Sequence, residues 1–598
     1  MAKSKKSLKV LLSLIIPLIV FVVLFSVYDF SLQSYVTFAI YTLLGLVAAV
    51  SIFKLVSARK RLYFPFIVFE TTYLSVYGIS FLLHLNTSLF DFVKGVAFSF
   101  IAFATVASTK VAISFIRKRS FYQLGKILFA LILFIAVALP LIMICYLVAT
   151  GSLISSDIIL ALAQTNASEG KEFFNANFNY RWVISFVVLV AVYFINYHAF
   201  NYTIHCKEDK GLNLFSLILV MYVSVFFALP RMDYLPFSVI KITSRQLDNF
   251  DAYKQQKGQR LEKLSKLKAL KLCDEFNDNR SLFVLVIGES ETRDRMQAYG
   301  FKRSNTPKLI QRLQNPHNIL FKNAFSSWPQ TVQALSYALT QANQYNHIDT
   351  VDAYSLIEMA RASDFDTYWL SNQRKYGVYE TPITVVASTA HNEIWTNGSA
   401  KMEGVFFDQE LVNQFPKIKM DRNTLIVIHL MGSHQKYQKR LPKDFMIFKG
   451  DDEDNDYYDD TILYTDYIVD EIYKKASQSK YFKALVYVSD HGEDPHLVGG
   501  HDPLNVTRQM LQVPLTVYLS DSFVEQRPHA YEALIENSDK YWSNDLTFDL
   551  MMGLMGLEGV PSYDPKYDLS SKSYDLKPEE VLTMYGKKRV IDDLDAKK

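Results

Sequence analysis

The chain has 598 residues, which is too many for one ordinary hydrophobic core, so two or more domains are expected. Hydrophobic residues make up 50% of the chain, and almost all of its long apolar runs precede residue 230. The formal net charge of +3 gives no reason to expect nucleic acid as a partner, and the three cysteines do not provide a disulfide framework.

The first 230 residues carry apolar stretches of membrane-spanning length. One follows Lys9, and the others fall near residues 36–57, 63–85, 94–115, 124–149, 181–203 and 211–229. Each is long enough to cross a hydrocarbon layer of about 30 Å, and no small-residue cleavage site follows the first. We therefore predict a transmembrane domain over residues 1–230 with about seven helices. Five helices would fit equally well, because an odd number places the two ends of the domain on opposite sides of the membrane.

The charges on the connecting segments predict the orientation of this domain. Basic residues cluster in alternate connections, at 59–61, at 117–119 and at Lys207 and Lys210. The remaining connections, 28–35, 86–91 and 151–179, are poor in basic residues. Because lysine and arginine are retained on the cytoplasmic side, the amino terminus is expected inside and everything after residue 230 outside.

A linker is predicted over residues 231–280. Within it, four leucines recur at helical spacing among lysines, at Leu261, Leu264, Leu267 and Leu270. Such an amphipathic helix could lie in the membrane interface, or it could pack on the domain that follows. The sequence favours neither alternative.

The remaining residues, 281–598, alternate between strand and helix patterns. Runs rich in apolar and β-branched residues at 282–287, 424–430, 484–489 and 514–519 are typical of buried strands, and helical patterns separate them. This arrangement predicts a mostly parallel sheet covered on both faces. In such sheets, ligands bind beyond the carboxyl ends of the strands.

Polar residues follow three of these strands. Glu289 follows the first, the second ends in a segment containing His429 and His434, and Asp490 and His491 follow the third, with His501 in the next loop. One such acid is usually a turn or helix cap, but several at one edge of a sheet favour a metal site. Glu289, Asp490 and His491 would bind zinc and leave a coordination position open for chemistry.

Thr331 is the residue that could occupy that open position. It follows Ser326, Ser327 and Pro329 and precedes a helical pattern, so it is expected in the first turn of a helix. Zinc lowers the pKa of a bound hydroxyl, and a helix amino terminus favours anions such as phosphate. Simple helix capping explains the same residue, and the spacing alone does not choose between these interpretations.

Five segments in the second half of the chain resemble one family. They are VLVIGESETRDRMQAYGFKRSNTP (284–307), SSWPQTVQALSYALT (326–340), YWLSNQRKYGVYETPI (368–383), VIHLMGSHQKYQKRLP (427–442) and YVSDHGED (487–494). The chain resembles the bacterial phosphoethanolamine transferases that modify lipopolysaccharide, which belong to the alkaline phosphatase and sulfatase superfamily. The resemblance implies an α-helical transmembrane domain followed by an α/β/α sandwich, with residues 281–598 forming a periplasmic catalytic domain.

The resemblance also implies roles for individual residues. Matched by position, Glu289, Asp490 and His491 look like the zinc ligands, and Thr331 looks like a fourth ligand and the covalent nucleophile. Three further residues look like substrate-binding residues. Asn372 falls where the family contacts the donor head group, and His434 and His501 resemble the family's histidines that serve the second metal or the phosphoryl group.

The implied activity is transfer of phosphoethanolamine from phosphatidylethanolamine to a core sugar or lipid A of lipopolysaccharide, at the bacterial inner membrane. Relatives that act on lipid A have several disulfides in this domain, whereas only Cys273 lies near it here, as in the cysteine-poor branch that modifies core sugars. A phosphoglycerol transferase of the lipoteichoic acid synthase kind is an alternative, as is a membrane protein whose outer domain only binds phosphate-containing ligands.

Overall fold

The computed structural model describes residues 59–82, 89–114, 119–150 and 180–203, a few isolated positions, and residues 251–595 apart from short gaps. The longest gaps in the last range are 374–381 and 398–406. The chain divides into two compact units: an N-terminal unit of Met1–Ile154 and Asn179–Lys241, and a C-terminal unit of Ser155–Phe178 and Ile242–Lys597.

The helices are numbered here in chain order. Those of the N-terminal unit are α1 (Arg59–Leu82), α2 (Leu89–Ser114), α3 (Arg119–Thr150) and α4 (Tyr180–Thr203). Those of the C-terminal unit are α5 (Lys257–Ser265), α6 (Pro307–Arg312), α7 (Thr331–Ala338), α8 (Leu356–Ala362), α9 (Pro382–Ala387), α10 (Gln409–Gln414), α11 (Glu453–Ser477), α12 (Arg508–Leu511), α13 (Asp521–Gln526), α14 (Pro528–Glu536) and α15 (Thr547–Met555).

Helices α1 to α4 lie at four of the predicted membrane spans. Among the described residues, three segments are long and apolar enough to cross a membrane, namely Tyr63–Leu82, Arg119–Ala138 and Tyr180–Tyr202, and α2 contains the shorter apolar stretch Phe98–Val111. The other three predicted spans lie outside the described residues. The predicted number of about seven helices therefore stays a prediction.

The four described helices pack around an aromatic cluster. The ring centroids of Phe69, Phe103 and Phe200 lie 5.6 to 6.0 Å apart, and all three side chains are buried. Two ionisable side chains inside the bundle have partners on other helices: Ser99 donates to Glu70, and Lys110 donates to Asn201. Because unpaired polar groups are costly in an apolar environment, these hydrogen bonds stabilise the association of the helices.

The leucine-rich helix of the predicted linker packs within the C-terminal unit. This is α5, which contacts α8 and buries Leu264. Arg260 is 3% exposed and forms an ion pair with the buried Glu358 of α8, with Nε and Oε1 3.1 Å apart. The sequence left two alternatives for this helix. The second, packing on the C-terminal unit, accounts for its apolar side.

Thirteen strands occur among the described residues. They are β1 (Lys271–Leu272), β2 (Leu282–Gly288), β3 (Asn318–Phe321), β4 (Asn323–Phe325), β5 (Asp366–Ser371), β6 (Asn392–Trp395), β7 (Thr424–His429), β8 (Phe482–Ser489), β9 (Leu515–Leu519), β10 (Tyr541–Ser543), β11 (Leu557–Glu558), β12 (Leu582–Thr583) and β13 (Lys588–Arg589).

Seven of these strands form the central sheet, in the order β3-β9-β8-β2-β7-β5-β6. The strands from β8 to β6 in that order are parallel, whereas β9 pairs antiparallel with β8 and β3 pairs antiparallel with β9. The sheet is therefore mixed, and the expected strand at 514–519 runs opposite to the rest. Leu515, at the start of β9, pairs with Val488, near the end of β8, so the chain returns on the same edge of the sheet. A parallel pair would need a crossover to the opposite edge.

Both faces of the sheet are covered, as expected for strands without polar alternation. Along β2, the side chains of Phe283, Leu285 and Ile287 join the core that includes α7, α8 and α15, and those of Leu282, Val284 and Val286 join the core that includes α11. The resulting three-layer arrangement directs the carboxyl ends of β2, β5, β7 and β8 to one edge of the sheet.

Candidate metal centre

The site lies at the edge where the parallel strands end. In the sheet, Gly288 at the end of β2 is opposite Ser489 at the end of β8, and Ile287 is opposite His429 at the end of β7. The residues that follow these strands, Glu289 and Asp490 among them, therefore emerge side by side although about 200 positions separate them in sequence. Strand pairing alone accounts for their proximity.

Glu289, Asp490 and His491 converge within this edge. Nε2 of His491 is 3.6 Å from Oε1 of Glu289 and 3.4 Å from Oδ2 of Asp490. One potential ligand atom from each residue lies within 4.8 Å of the others, and all three side chains are buried. Carboxylate oxygens and imidazole nitrogens are zinc ligands, and three protein ligands are the number found in catalytic zinc sites.

In both Asp490 and His491, one side-chain atom hydrogen-bonds to the protein and the other faces the site. Oδ1 of Asp490 accepts from the backbone N–H groups of Ser290 (3.0 Å) and His491 (2.6 Å), while Oδ2 is buried with no hydrogen-bond partner among the described residues. Nδ1 of His491 donates to the carbonyl of Gly492 at 2.8 Å, so Nε2 presents its lone pair.

The electrostatics of this cluster also fit a cation. Burial, and next to it the charge of Asp490, raise the pKa of the Glu289 carboxyl well above its ordinary value. Two buried carboxylates this close are unfavourable as a pair, and a divalent cation between them removes the repulsion. A metal ion held here would also contact the buried Oδ2 of Asp490, which has no hydrogen-bond partner among the described residues.

Thr331 lies against the same three residues. It is the first residue of α7, in agreement with its expected place in the first turn of a helix, and no side chain caps this helix. Its Oγ1 is 3.3 and 3.2 Å from the two carboxylate oxygens of Glu289 and 3.3 Å from Nε2 of His491. Thr331 as a whole is half-buried, in contrast to the three fully buried residues around it.

The loop after β7 encloses Glu289. Ser433 donates its backbone N–H to the Glu289 carbonyl at 2.9 Å. Gly432 has φ +48°, and a β-carbon on this residue would lie only 2.9 Å from the same carbonyl oxygen, so only glycine fits here. The carboxylate of the buried Asp408 accepts from the N–H groups of Met431 and Gly432, both at 2.9 Å, and so fixes the loop.

His429 lies behind Glu289 at the end of β7. Its Nε2 is 3.9 Å from Oε2 of Glu289, and neither ring nitrogen has a hydrogen-bond partner among the described residues. Burial lowers the pKa of His429 to about 4, so the imidazole is neutral at pH 7. A neutral ring at this position adds no positive charge to compete with a metal ion.

The three residues expected to bind substrate lie in different settings. Asn372 is fully buried, and its amide donates to Asp408 (2.9 Å) and accepts from Thr396 (2.8 Å). His434 is half-buried in the loop after β7, with Nδ1 3.3 Å from a guanidinium nitrogen of Arg440. His501 lies outside the described residues.

Two residues of the site were not anticipated from the sequence. Gln373 donates its side-chain amide to Oε2 of Glu289 (3.1 Å) and to the Leu430 carbonyl (2.8 Å). Gln373 lies two residues beyond the end of β5, so its position after a parallel strand was the signal available for it. Asp408 precedes the short helix α10, and nothing in its sequence context connects it with the loop after β7.

The comparisons with known proteins assign the family. Residues 281–559 match the family model described as Sulfatase. This match covers less than half of the chain and lies within the C-terminal unit, which therefore contains a Sulfatase-family domain. The match agrees with the resemblance to the alkaline phosphatase and sulfatase superfamily.

Curated relatives match much of the chain. This chain is 27% identical over 504 residues to phosphoethanolamine transferase EptC of Escherichia coli O18:K1:H7, a match that spans 78% of this chain and 86% of the relative. It is 26% identical over 339 residues to phosphoethanolamine transferase CptA of Salmonella typhimurium, spanning 53% and 58% of the two chains.

A solved structure that includes a membrane portion shares the fold. The integral membrane protein lipooligosaccharide phosphoethanolamine transferase A of Neisseria meningitidis superposes with a TM-score of 0.56 and 18% identity, covering 85% of this chain and 97% of that one. This similarity confirms the predicted fold class, helical membrane segments followed by a domain of the alkaline phosphatase and sulfatase type.

Proposed function

We propose that this chain is a zinc-dependent phosphoethanolamine transferase that takes its donor group from phosphatidylethanolamine and passes it to lipopolysaccharide through a phosphothreonine intermediate. The observation that carries the proposal is the position of the Thr331 hydroxyl, 3.2 to 3.3 Å from the carboxylate of Glu289 and from Nε2 of His491. The names of the curated relatives support the transferred group.

Glu289, Asp490 and His491 would hold the metal, with Thr331 completing the set. Zinc bound there would lower the pKa of the threonine hydroxyl and balance the charge of the phosphate. Gln373 keeps the Glu289 carboxylate in place, and the loop after β7 fixes the Glu289 backbone through the N–H of Ser433. The N–H groups in the first turn of α7 are available to the phosphate oxygens, because no side chain caps them.

The first step forms the covalent intermediate. Oγ of Thr331 attacks the phosphorus of phosphatidylethanolamine, the new bond joins Oγ to phosphorus, and the bond from phosphorus to the glycerol oxygen breaks. The Thr331 hydroxyl passes its proton to solvent as it attacks. Diacylglycerol leaves with a proton, for which we assign His434 as donor because it lies in the loop that encloses Glu289.

The second step regenerates the enzyme. A hydroxyl or phosphate oxygen of the lipopolysaccharide acceptor attacks the same phosphorus, and the bond to Thr331 breaks. The acceptor loses a proton when it carries a hydroxyl, and Thr331 regains one. Asn372 and His501 are assigned to the donor head group and the phosphoryl group on the strength of the family resemblance, and the buried amide of Asn372 would act through its contacts with Asp408 and Thr396.

A lipid donor explains why the catalytic part is joined to membrane helices. We propose that residues 1–230 form a multi-pass domain of about seven helices in the bacterial inner membrane. Residues 231–280 then form a linker, and residues 281–598 form a catalytic domain in the periplasm. The apolar segments of α1, α3 and α4 support membrane insertion.

The direct test uses the full chain in detergent with phosphatidylethanolamine. We expect the wild type to release diacylglycerol and to carry phosphoethanolamine on the peptide that contains Thr331, as read by mass spectrometry. Thr331→Ala should bind zinc but form no adduct, and Thr331→Ser should retain part of the activity. A Thr331→Ala variant with full turnover would rule out the intermediate.

Two further measurements separate the alternatives. Offering phosphatidylglycerol in the same assay tests the phosphoglycerol transferase, because the adduct on Thr331 would then have a different mass. Mass spectrometry of lipopolysaccharide from cells with and without the gene locates the added group on core sugar or lipid A. Binding of both lipids without release of diacylglycerol would instead support a protein that only binds its ligands.

A further inference from the structure

The last part of the described chain forms a hairpin that contacts the segment carrying Thr331. Strands β12 and β13 pair antiparallel, with Leu582 opposite Arg589 and Thr583 opposite Lys588. This C-terminal hairpin, residues 582–589, follows the end of the Sulfatase match at residue 559. Its contacts are therefore a property of this chain beyond the matched family domain.

The segment that carries Thr331 needs support from elsewhere in the protein. Helix α7 has eight residues, no side-chain cap and no acidic residue in its first turn. Isolated helices of this length are unstable, because most of their peptide groups lie in the terminal turns. A disulfide is not available, since Cys145, Cys206 and Cys273 are the only cysteines and Cys273 alone belongs to the C-terminal unit.

The C-terminal hairpin hydrogen-bonds to both sides of Thr331. Before it, Thr583 donates its hydroxyl to the carbonyl of Ser326 at 2.8 Å, and this contact is buried. After it, the Tyr585 hydroxyl donates to the carbonyl of Gln333 at 2.8 Å. Thr331 thus lies between two backbone carbonyls that are both fixed by the same hairpin.

The ring of Tyr585 makes a second kind of contact. It stacks on Trp328, with centroids 4.6 Å apart and an interplanar angle of 28°, and it packs against Tyr337 at 4.7 Å. Trp328 precedes α7 and Tyr337 lies in its last turn, so one aromatic side chain spans the helix. Aromatic pairs at these distances contribute specific orientation in addition to buried area.

The backbone of the C-terminal hairpin is itself in an unfavourable conformation. Met584 and Tyr585 have φ values of +54° and +55°, in the left-handed region that residues other than glycine rarely adopt. Such a turn persists only where surrounding contacts fix it. Gln344 supplies two of these: it accepts from the N–H of Gly586 (2.8 Å) and donates to the carbonyl of Leu582 (3.0 Å).

We propose that Tyr585 is a positioning residue, which fixes the first turn of α7 and so keeps the Thr331 hydroxyl between Glu289 and His491. The proposal rests on the proposed function for its effect on turnover, but not for its effect on the helix. Displacing a reacting group by about 1 Å can reduce a rate 100-fold, so a small movement of α7 is sufficient.

The test compares Tyr585→Ala, Tyr585→Phe and Thr583→Val with Tyr574→Phe in the zinc-loaded full chain. Tyr574 is the matched control, because it belongs to the same C-terminal part and its buried hydroxyl donates to the Tyr541 carbonyl at 2.6 Å, away from α7. Hydrogen exchange of the amides of Leu335 to Ala338 reports on the helix, and kcat, KM and zinc content report on the site.

We expect exchange in α7 to accelerate roughly tenfold in Tyr585→Ala, with kcat falling about tenfold or more and KM and zinc content unchanged. Tyr585→Phe and Thr583→Val should each lower kcat about threefold. Tyr574→Phe should leave the exchange rate of α7 and kcat at their wild-type values. Wild-type exchange and kcat in Tyr585→Ala would overturn the proposal, as would an equal loss of kcat in Tyr574→Phe. If the wild type transfers nothing, the proposed function fails, and the exchange rates still decide whether Tyr585 fixes the helix.

Discussion

Gln373 donates its side-chain amide to Oε2 of Glu289 at 3.1 Å. The same amide nitrogen donates to the Leu430 carbonyl at 2.8 Å, so it is fixed at two points. Hydrogen bonds of this kind orient a carboxylate that binds a metal and are usually needed for full affinity.

Replacing Gln373 with Met should therefore weaken zinc binding by roughly 10- to 100-fold, because the length of the side chain is kept and its donors are lost. Competition with a metal chelator measures the affinity. Gln526→Met is the matched control, since Gln526 accepts from Lys483 far from the site at 2.6 Å. An unchanged zinc affinity in Gln373→Met would show that the amide does not support the ligand.

Zinc should stabilise the C-terminal unit against heat. Binding to the folded state alone contributes about 2.7 kcal/mol when zinc is 100-fold above its dissociation constant. Four of the five tryptophans follow residue 300, so tryptophan fluorescence follows the unfolding of this unit. Asp490→Asn should remove the zinc-dependent rise in the unfolding temperature, and its persistence in that variant would contradict the ligand assignment.

Much of the site could be foreseen because strand ends are visible in a sequence. The apolar runs before Glu289 and Asp490 end abruptly at polar residues, and parallel strands bring their carboxyl ends to one edge. Thr331 could be placed at a helix start and offered as the occupant of an open zinc position, but its choice over simple helix capping depended mainly on the family resemblance. The direction of β9 was not foreseen, since the apolar pattern of a buried strand is the same in both directions.

Residues whose role depends on contacts with distant parts of the chain could not be predicted from the sequence. The role of Asp408 is visible only in the structure, where it accepts from two backbone N–H groups that lie 23 and 24 positions away in sequence. The leucine stripe of α5 did not decide between membrane and protein, because both surfaces are apolar. The decisive residue was Arg260, whose partner Glu358 is 98 positions away in sequence.

The ion pair between Arg260 and Glu358 leads to a prediction about stability. Both side chains are almost fully buried, so Arg260→Ala would leave an unpaired carboxylate inside the protein and should cost about 3 to 5 kcal/mol. Lys266→Ala is the control on the same part of the chain, because its pair with Glu262 is exposed and contributes about 0.5 kcal/mol or less. Thermal unfolding of the zinc-loaded chain compares them, and equal midpoints would contradict the packing of α5.

Asp568 gives the stability of the C-terminal unit a dependence on pH. Burial raises its pKa from the ordinary value of 3.8 to about 6, so between these values the folded state holds a proton that the unfolded state releases. The associated stability, about 3 kcal/mol, is present below pH 4 and is lost as the pH rises through 6. Asp568→Asn should therefore flatten the unfolding temperature as a function of pH between 4 and 7.

The exposed Asp564 provides the control for that measurement. It lies four residues before Asp568, and its side chain accepts from the N–H of Lys566 at 2.9 Å. Asp564→Asn therefore removes a nearby exposed carboxylate and leaves the buried one intact. We expect the pH profile of this variant to match the wild type. Profiles for Asp568→Asn and the wild type with the same slope would mean that the carboxyl is ionised in the folded protein throughout.

The pairing of β2 with β8 has a consequence for how the protein matures during synthesis. The two carboxylates leave adjacent strands, yet the ribosome adds about 200 residues after the first before it reaches the second. A nascent chain that stops before Asp490 has only one carboxylate of the pair. If these residues hold zinc as proposed, the ion would bind only after His491 has been synthesised, and chains that end earlier would lack the proposed activity.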